Sequence, residues 1–107
     1  MSNPNKIWAS FTIVRELSLA LKDGKYSLFL TLSEDVDTYS KTEIFQFDYV
    51  SQLNLSNFGG GASQFCLLQV SESNNGLDRA RYYVEDVENE NVSFYCESFT
   101  EVNHGTN

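Results

Sequence analysis

Histidine is almost missing from this chain of 107 residues, and the single one, His104, stands close to the C-terminal end. A serine or cysteine nucleophile generally needs a base held beside it, most often histidine. An Asn-His-Gly tail cannot hold one, so the chain reads as non-enzymatic. Cysteine is scarce too: Cys66 and Cys96 are the two, and neither belongs to a Cys-x-x-Cys pair. Two isolated cysteines and one histidine make no zinc site. Both fall on apolar strand faces, where a buried reduced thiol is expected in preference to a disulfide. Positive charge is short, with 7 Lys and Arg against 15 Asp and Glu and a net charge of −8. A phosphate backbone calls for a cationic stripe, so free nucleic acid is excluded as a partner. The longest apolar runs, such as Cys66-Leu67-Leu68, fall far short of the ~20 residues that span a bilayer. No membrane contact is expected. The opening Met1–Lys6 has no apolar h-region, so the expected location is cytoplasmic.

Against those absences stand 41% hydrophobic and 14% aromatic residues, too rich a mixture for disorder. The length fits one domain over 1–107, with its ordered core at about 7–102 and both polar ends, Met1–Asn5 and Asn103–Asn107, frayed. The dominant pattern has a period of two. Leu17, Leu19 and Leu21 alternate with Ser18 and Ala20, as in a half-buried strand. Asp23-Gly24 suits a type I′ hairpin turn with positive φ at both central residues. A second strand carries Leu28, Leu30 and Leu32. A two-residue turn makes facing residues sum to 47, and a bulge or a longer turn is expected to set leucine against leucine. Ser33–Lys41 is a polar, acidic loop. Glu43–Val50 alternates again, with Phe45, Phe47 and Tyr49 on one face, and continues through Leu53 and Leu55 as one bent strand or two strands broken near Ser51. Asn57–Ala62 is a loop. Gln64–Ser71 is apolar on both faces, as in a central strand.

The last third is the clearest. Ser73–Gly76 is a hairpin connection, Arg79–Val87 a strand, Glu88–Asn91 a turn and Val92–Val102 the closing strand. Pairing in which facing residues sum to 178 sets Val84 against Phe94, Tyr82 against Cys96, Tyr83 against Tyr95 and Arg81 against Glu97, each a favourable cross-strand pair; a register two residues longer keeps the same faces but loses the Arg81–Glu97 pair. The fold class is mainly β. It is an antiparallel, meander-like arrangement of roughly six to eight strands, either one curved sheet or a small sandwich. A short N-terminal helical segment over Ile7–Val14 would pack Trp8 and Phe11 under one edge.

The chemistry the chain could carry is limited. Glu34-Asp35-Val36-Asp37 lacks the glycine and distal glutamate of a calcium loop, and reads as a solvated acidic loop. Gly59-Gly60-Gly61 has no following Lys-Ser or Lys-Thr, so it is no phosphate cradle. Glu85, Asp86, Glu88, Glu90 and Glu97 cluster near one hairpin, without an apolar pocket to tune one of a pair as an acid. No metal and no cofactor is expected. One combination stands out. The outward face of the last hairpin should carry Tyr83 and Tyr95 beside Arg81, Glu85 and Glu97, with Asp86, Glu88 and Glu90 at its tip. Tyrosine and arginine are favoured interface anchors, and clustered acid steers a basic partner. The same residues also suit a merely solvated sheet surface.

These residues carry a resemblance. Ser10-Phe11 leading into Val14-Arg15-Glu16-Leu17-Ser18-Leu19 comes first. Ile44-Phe45-Gln46-Phe47 follows, with Val50 and Leu53-Asn54-Leu55-Ser56-Asn57-Phe58. Tyr83-Val84-Glu85-Asp86 and Val92-Ser93-Phe94-Tyr95-Cys96 complete it. Together, over about residues 8–102, the pattern resembles the small acidic immunity proteins of bacterial contact-dependent and polymorphic toxin systems, and most nearly the immunity protein 50 type. The resemblance implies a β architecture and action by binding, with no catalytic residues. The expected partner is a cognate toxin domain, basic and acting on nucleic acid. The expected contacts are Arg81, Tyr83, Glu85, Asp86, Glu88, Glu90, Tyr95 and Glu97, with Glu34, Asp35 and Asp37 of the acidic loop. The protein itself is expected as monomer or homodimer. Other classes fit the same sequence: a ligand-binding β domain with Trp8, Phe47 and Tyr49 lining a cavity, a DNA-mimicking inhibitor, or an assembly subunit that pairs edge strands.

Overall fold

The computed structural model describes residues 4–37, 41–58, 64–73 and 80–102. A short helix, α1 (Pro4–Trp8), precedes nine strands. These are β1 (Ile13–Lys22), β2 (Lys25–Ser33), β3 (Thr42–Asp48), β4 (Ser51–Leu55), β5 (Gln64–Phe65), β6 (Leu68–Glu72), β7 (Tyr82–Asp86), β8 (Val92–Cys96) and β9 (Ser98–Val102). They form a five-stranded sheet in the order β5-β1-β2-β3-β9 and a four-stranded sheet in the order β4-β8-β7-β6. Every strand pair is antiparallel.

Alternation builds the core. Leu28, Leu30 and Leu32 of β2 and Phe45 and Phe47 of β3 point inward from the larger sheet. Leu68, Val84, Val92, Phe94 and Cys96 meet them from the smaller one. Phe47 and Phe94 touch edge to face across the interior, with ring centroids 4.9 Å apart. The architecture is thus the small sandwich, with the two sheets' inner faces forming one core.

The first hairpin holds strict register from Lys22↔Lys25 through Leu19↔Leu28 and Leu17↔Leu30, and the only shift falls at Arg15. Leucine already faces leucine, so neither a bulge near the turn nor a longer turn is needed. Asp23 (φ 55°) and Gly24 (φ 79°) both take the left-handed conformation that a type I′ turn requires.

Three expected strands turn out to change sheet midway. The Glu43–Leu55 stretch is β3 and β4, bent at Tyr49 (φ 57°). Val92–Val102 is β8 and β9, bent at Glu97, whose N–H donates to the carbonyl of Asp48 at 2.9 Å. Facing residues sum to 146 on both sides of this corner, at Asp48↔Ser98 and at Ser51↔Tyr95. The corner is therefore one antiparallel ladder folded over the core. Gln64–Ser71 is not a central strand. It splits into β5 and β6, each at a sheet edge. Its two apolar faces arise because Cys66 and Leu68 enter the core at the crossing, while Phe65 stays 41% exposed.

Pro4 and Asn5, expected among the frayed residues, belong to α1. The Asn5 side-chain amide donates to the Val70 carbonyl at 3.2 Å and accepts from the Val70 N–H at 2.8 Å. It thereby caps the open edge of β6 as another strand would. A five-residue helix has no stability of its own. Trp8, wholly buried, anchors it; the helical segment expected over Ile7–Val14 thus lies earlier in the chain, with Phe11 entering the core beyond the helix and Ile13 already opening β1. The connections at 59–63 and 74–79, and the end at 103–107, lie outside the described residues.

Candidate functional site

The β7–β8 ladder sets Tyr83 against Tyr95, Val84 against Phe94 and Tyr82 against Cys96, the register read from the sequence. Val84 and Phe94 face the core, so Tyr83 and Tyr95 face outward. Their rings lie 4.8 Å apart at 46°. Glu85 is beside them, between Ser93 and Gln69. All three side chains are half-buried. The ladder ends at Tyr82↔Cys96, so Arg81 and Glu97 do not pair. Glu97 is drawn into the corner with Asp48, and among the described residues no ion pair joins it to Arg81.

Glu88 and Glu90 are exposed at the β7–β8 turn, and Glu34, Asp35 and Asp37 are exposed after β2. Far apart in sequence, these two acidic segments belong to one end of the sandwich. Asn91 beside the turn donates to the Phe65 carbonyl at 3.5 Å. Phe65 pairs with Ile13, and Ile13 with Ser33, where the acidic loop begins. Arg81 and Glu97 lie toward the opposite end of the smaller sheet. The structure therefore gathers Glu34, Asp35, Asp37, Glu88 and Glu90 at one end, keeps Tyr83, Glu85 and Tyr95 on the adjoining face, and sets Arg81 and Glu97 apart.

Asp86 lies elsewhere: its side chain is wholly buried. One carboxylate oxygen accepts the backbone N–H groups of Leu67 (3.0 Å), Glu88 (3.1 Å) and Asn89 (3.3 Å), and the other accepts that of Asn91 (3.0 Å). It ties the β5–β6 crossing to the β7–β8 turn and offers a partner no surface. An aspartate opening a turn commonly bonds the backbone just ahead of it, and this was the available sequence signal. Arg15 is the matching organiser of the other segment. Its guanidinium donates to Ser33 Oγ (2.9 Å), to the Asp35 carbonyl (3.1 Å) and to the Asp37 carbonyl. These donors thus go to one hydroxyl and two backbone carbonyls, which ties the start of the loop to β1.

Trp8 and Phe47 have no exposed surface and pack ring against ring at 5.9 Å. They are core residues and not the lining of a ligand cavity. An open groove of about 290 Å³ lies elsewhere, bordered by Leu19, Tyr26, Val50, Ser51, Gln52 and Leu53. Among the described residues no cluster of His, Cys, Asp and Glu could hold a metal ion, and no helix is long and apolar enough to cross a membrane.

Cys66 and Cys96 are buried free thiols. Burial pushes Cys66 up from 9.0 to about 12, helped by the charge of Asp86 and a hydrogen bond to it. Burial and the charge of Asp48 do the same for Cys96, again to about 12. Only the thiolate is nucleophilic, so in the native protein both cysteines should alkylate about a thousandfold slower than free cysteine near pH 8, and at the free rate in denaturant. Because the folded value is raised, the stability these thiols contribute is full below about pH 9 and is lost as pH rises toward about 12. Denaturant midpoints measured along that range check the sign.

The architecture, then, is an antiparallel β-sandwich with carboxylates gathered at one end and stacked tyrosines on the adjoining face. Residues 5–102 match the model of the family Immunity protein PIM8, and the chain belongs to that family. The match makes it an immunity protein, the class the resemblance implied, with PIM8 in place of the type-50 pattern. Such families are generally non-enzymatic and imply a toxin as partner. No curated protein and no solved structure matches the chain.

Proposed function

We propose that the protein neutralises a cognate bacterial toxin domain, basic and of the nuclease type, by binding it in the cytoplasm through the acidic end of the sandwich and the tyrosine face beside it. Contact-dependent or polymorphic toxin systems are the setting that suits such a pair. The observation that carries this reading is the convergence of Glu34–Asp37 and Glu88–Glu90 on one end of a chain with a net charge of −8. A cationic groove evolved for phosphate would find exposed carboxylates there from two segments, one beginning beside Arg15 and the other beside the buried Asp86. Tyr83 and Tyr95 would supply apolar contact at little entropic cost, since each is already stacked on the other. Charges of this kind act mainly on encounter: opposite fields raise association rates, and salt screens them.

The test is charge reversal against the cognate toxin. Glu85→Lys, Glu88→Lys and Glu97→Lys together should slow association roughly 10–100-fold at low salt and flatten its salt dependence. The geometry sharpens the comparison. Reversal of Glu34, Glu88 and Glu90 at the acidic end should cost more than reversal of Glu97 at the far end. Unchanged rates in the triple variant would sink the acidic-surface mechanism while leaving the immunity assignment intact.

A further inference from the structure

The carboxylate of Glu85 has no partner among the described residues: it accepts no hydrogen bond and enters no ion pair. It is nonetheless half-buried, on the outer face of the smaller sheet. Gln69 of β6 and Ser93 of β8 flank it. Tyr83 stands two positions before it on β7, stacked on Tyr95 of β8. Val87, 42% exposed, follows it toward the turn. Arg81 precedes it by four positions, about 13 Å of extended chain, with Tyr83 between. The connection at 74–79 starts beyond Ser73 and Arg81, whose main chains are joined at 2.8 Å. Glu72↔Tyr82, Ser71↔Tyr83 and Val70↔Val84 stand between that connection and Glu85.

The geometry points to an arginine of the toxin as the group this face takes. Its guanidinium lies on the tyrosine pair and donates two parallel N–H bonds to the Glu85 carboxylate. Such an arginine presupposes the toxin complex proposed above. A carboxylate half withdrawn from water gains most from a charged donor. The tyrosine rings beside it select which donor. A guanidinium is flat, weakly hydrated and forked, so it stacks on a ring while it grips a carboxylate. A lysine ammonium is compact and strongly hydrated, and it meets one of those needs at a time. An anionic group is repelled, since Glu88 and Glu90 stand at the adjoining turn.

Position gives Glu85 a part unlike that of its acidic neighbours. It stands between the tyrosine pair and the turn that carries Glu88 and Glu90. Those two are exposed, and charges at an exposed rim act on encounter. A charge that contact covers and bonds acts on the lifetime of the complex. Glu85 thus holds the toxin where Glu88 and Glu90 steer it.

Two measurements test this on the intact chain. The first needs no toxin. N-acetyl-arginine methylamide, titrated at fixed ionic strength, should shift the NMR signals of Tyr83, Glu85 and Tyr95 and saturate on the order of tens of millimolar. N-acetyl-lysine methylamide should bind roughly fivefold more weakly, and Glu85→Gln should remove the difference. Equal binding of the two amides, or shifts confined to Glu88 and Glu90, would overturn the proposal. The second follows dissociation from the cognate toxin domain, with the toxin's arginines changed to lysine one at a time. Glu85→Gln should speed dissociation roughly 30-fold and alter association by less than about threefold. One toxin arginine should reproduce that loss, and the double change should cost little more than either alone. Wild-type dissociation of Glu85→Gln, or strict additivity with every toxin arginine, would equally overturn it. A toxin domain that wild type itself does not bind would instead sink the toxin-binding reading, and the amide titration would still decide on Glu85. The Glu85→Gln variant should melt with wild type, because the carboxylate bonds nothing within the described fold.

Discussion

Replacing Asp86 by alanine will destabilise the fold by about 3 kcal/mol, the upper range for losing one buried acceptor that serves several donors. Four backbone N–H groups, those of Leu67, Glu88, Asn89 and Asn91, point at this carboxylate, and the side chain is wholly enclosed. Truncation leaves these donors without the acceptor they share. Asp86→Asn should cost distinctly less. An amide oxygen in place of the oxygen that holds Leu67, Glu88 and Asn89 keeps three of the bonds, while the amide nitrogen meets the Asn91 N–H donor to donor. Thermal unfolding reads the series directly, since a loss of about 3 kcal/mol lowers Tm by roughly 12–24 °C in a domain near this size. Equal melting of wild type and Asp86→Ala would mean that the carboxylate does not organise the turn. Because Asp86 presents no surface, toxin binding by Asp86→Asn should follow the folded fraction alone, unlike that of the exposed Glu88 and Glu90.

The contrast between Asp86 and its neighbours shows where sequence reasoning stops. Alternation in Tyr82–Cys96 fixes which side chains share a face and excludes a slip by one residue, but a register two residues longer keeps the same faces, and the pair that favoured the shorter one, Arg81 with Glu97, does not form. The same pattern misses corners. Val92–Val102 reads as one closing strand, although its inward side passes from the even positions Val92, Phe94 and Cys96 to the odd position Phe99 where the chain bends at Glu97. Composition likewise marks Asp86, Glu88 and Glu90 alike as acidic, and only the backbone N–H groups around Asp86 distinguish a structural carboxylate from two exposed ones. That Glu34–Asp37 and Glu88–Glu90 lie at one end depends on the two-residue strand β5, too short to give a periodic signal. Arg15 illustrates the converse. It was legible only as one residue of a recurring pattern, yet it sits at the single register shift of β1, where the extra residue turns its guanidinium toward the Ser33–Asp37 backbone.

Trp8→Ala should cost about 3–5 kcal/mol, the range for deleting a large buried aromatic side chain. The indole lies within 5.5 Å of Phe45 edge to face, 5.9 Å of Phe47 and 6.3 Å of Phe99, so it binds α1 to β3 and β9 at once. Its loss removes the anchor of a helix too short to persist alone, and with the helix goes the Asn5 amide that caps the β6 edge at Val70. Two elements are thus lost for one side chain. Trp8→Phe separates packing from polarity. The indole Nε1 is buried and, among the described residues, has no hydrogen-bond partner. Phenylalanine removes that unsatisfied donor, which offsets part of the lost volume, and its cost should stay below about 1.5 kcal/mol. Denaturant titrations followed by circular dichroism give both values, and in wild type the sole tryptophan supplies an independent fluorescence signal. If Trp8→Ala unfolded at the wild-type midpoint, α1 would be an ornament on the sandwich. A loss in the expected range, with Trp8→Phe near wild type, would make the helix part of the core's cooperative unit, joining the first residues of the family match to the sheets that carry the acidic end.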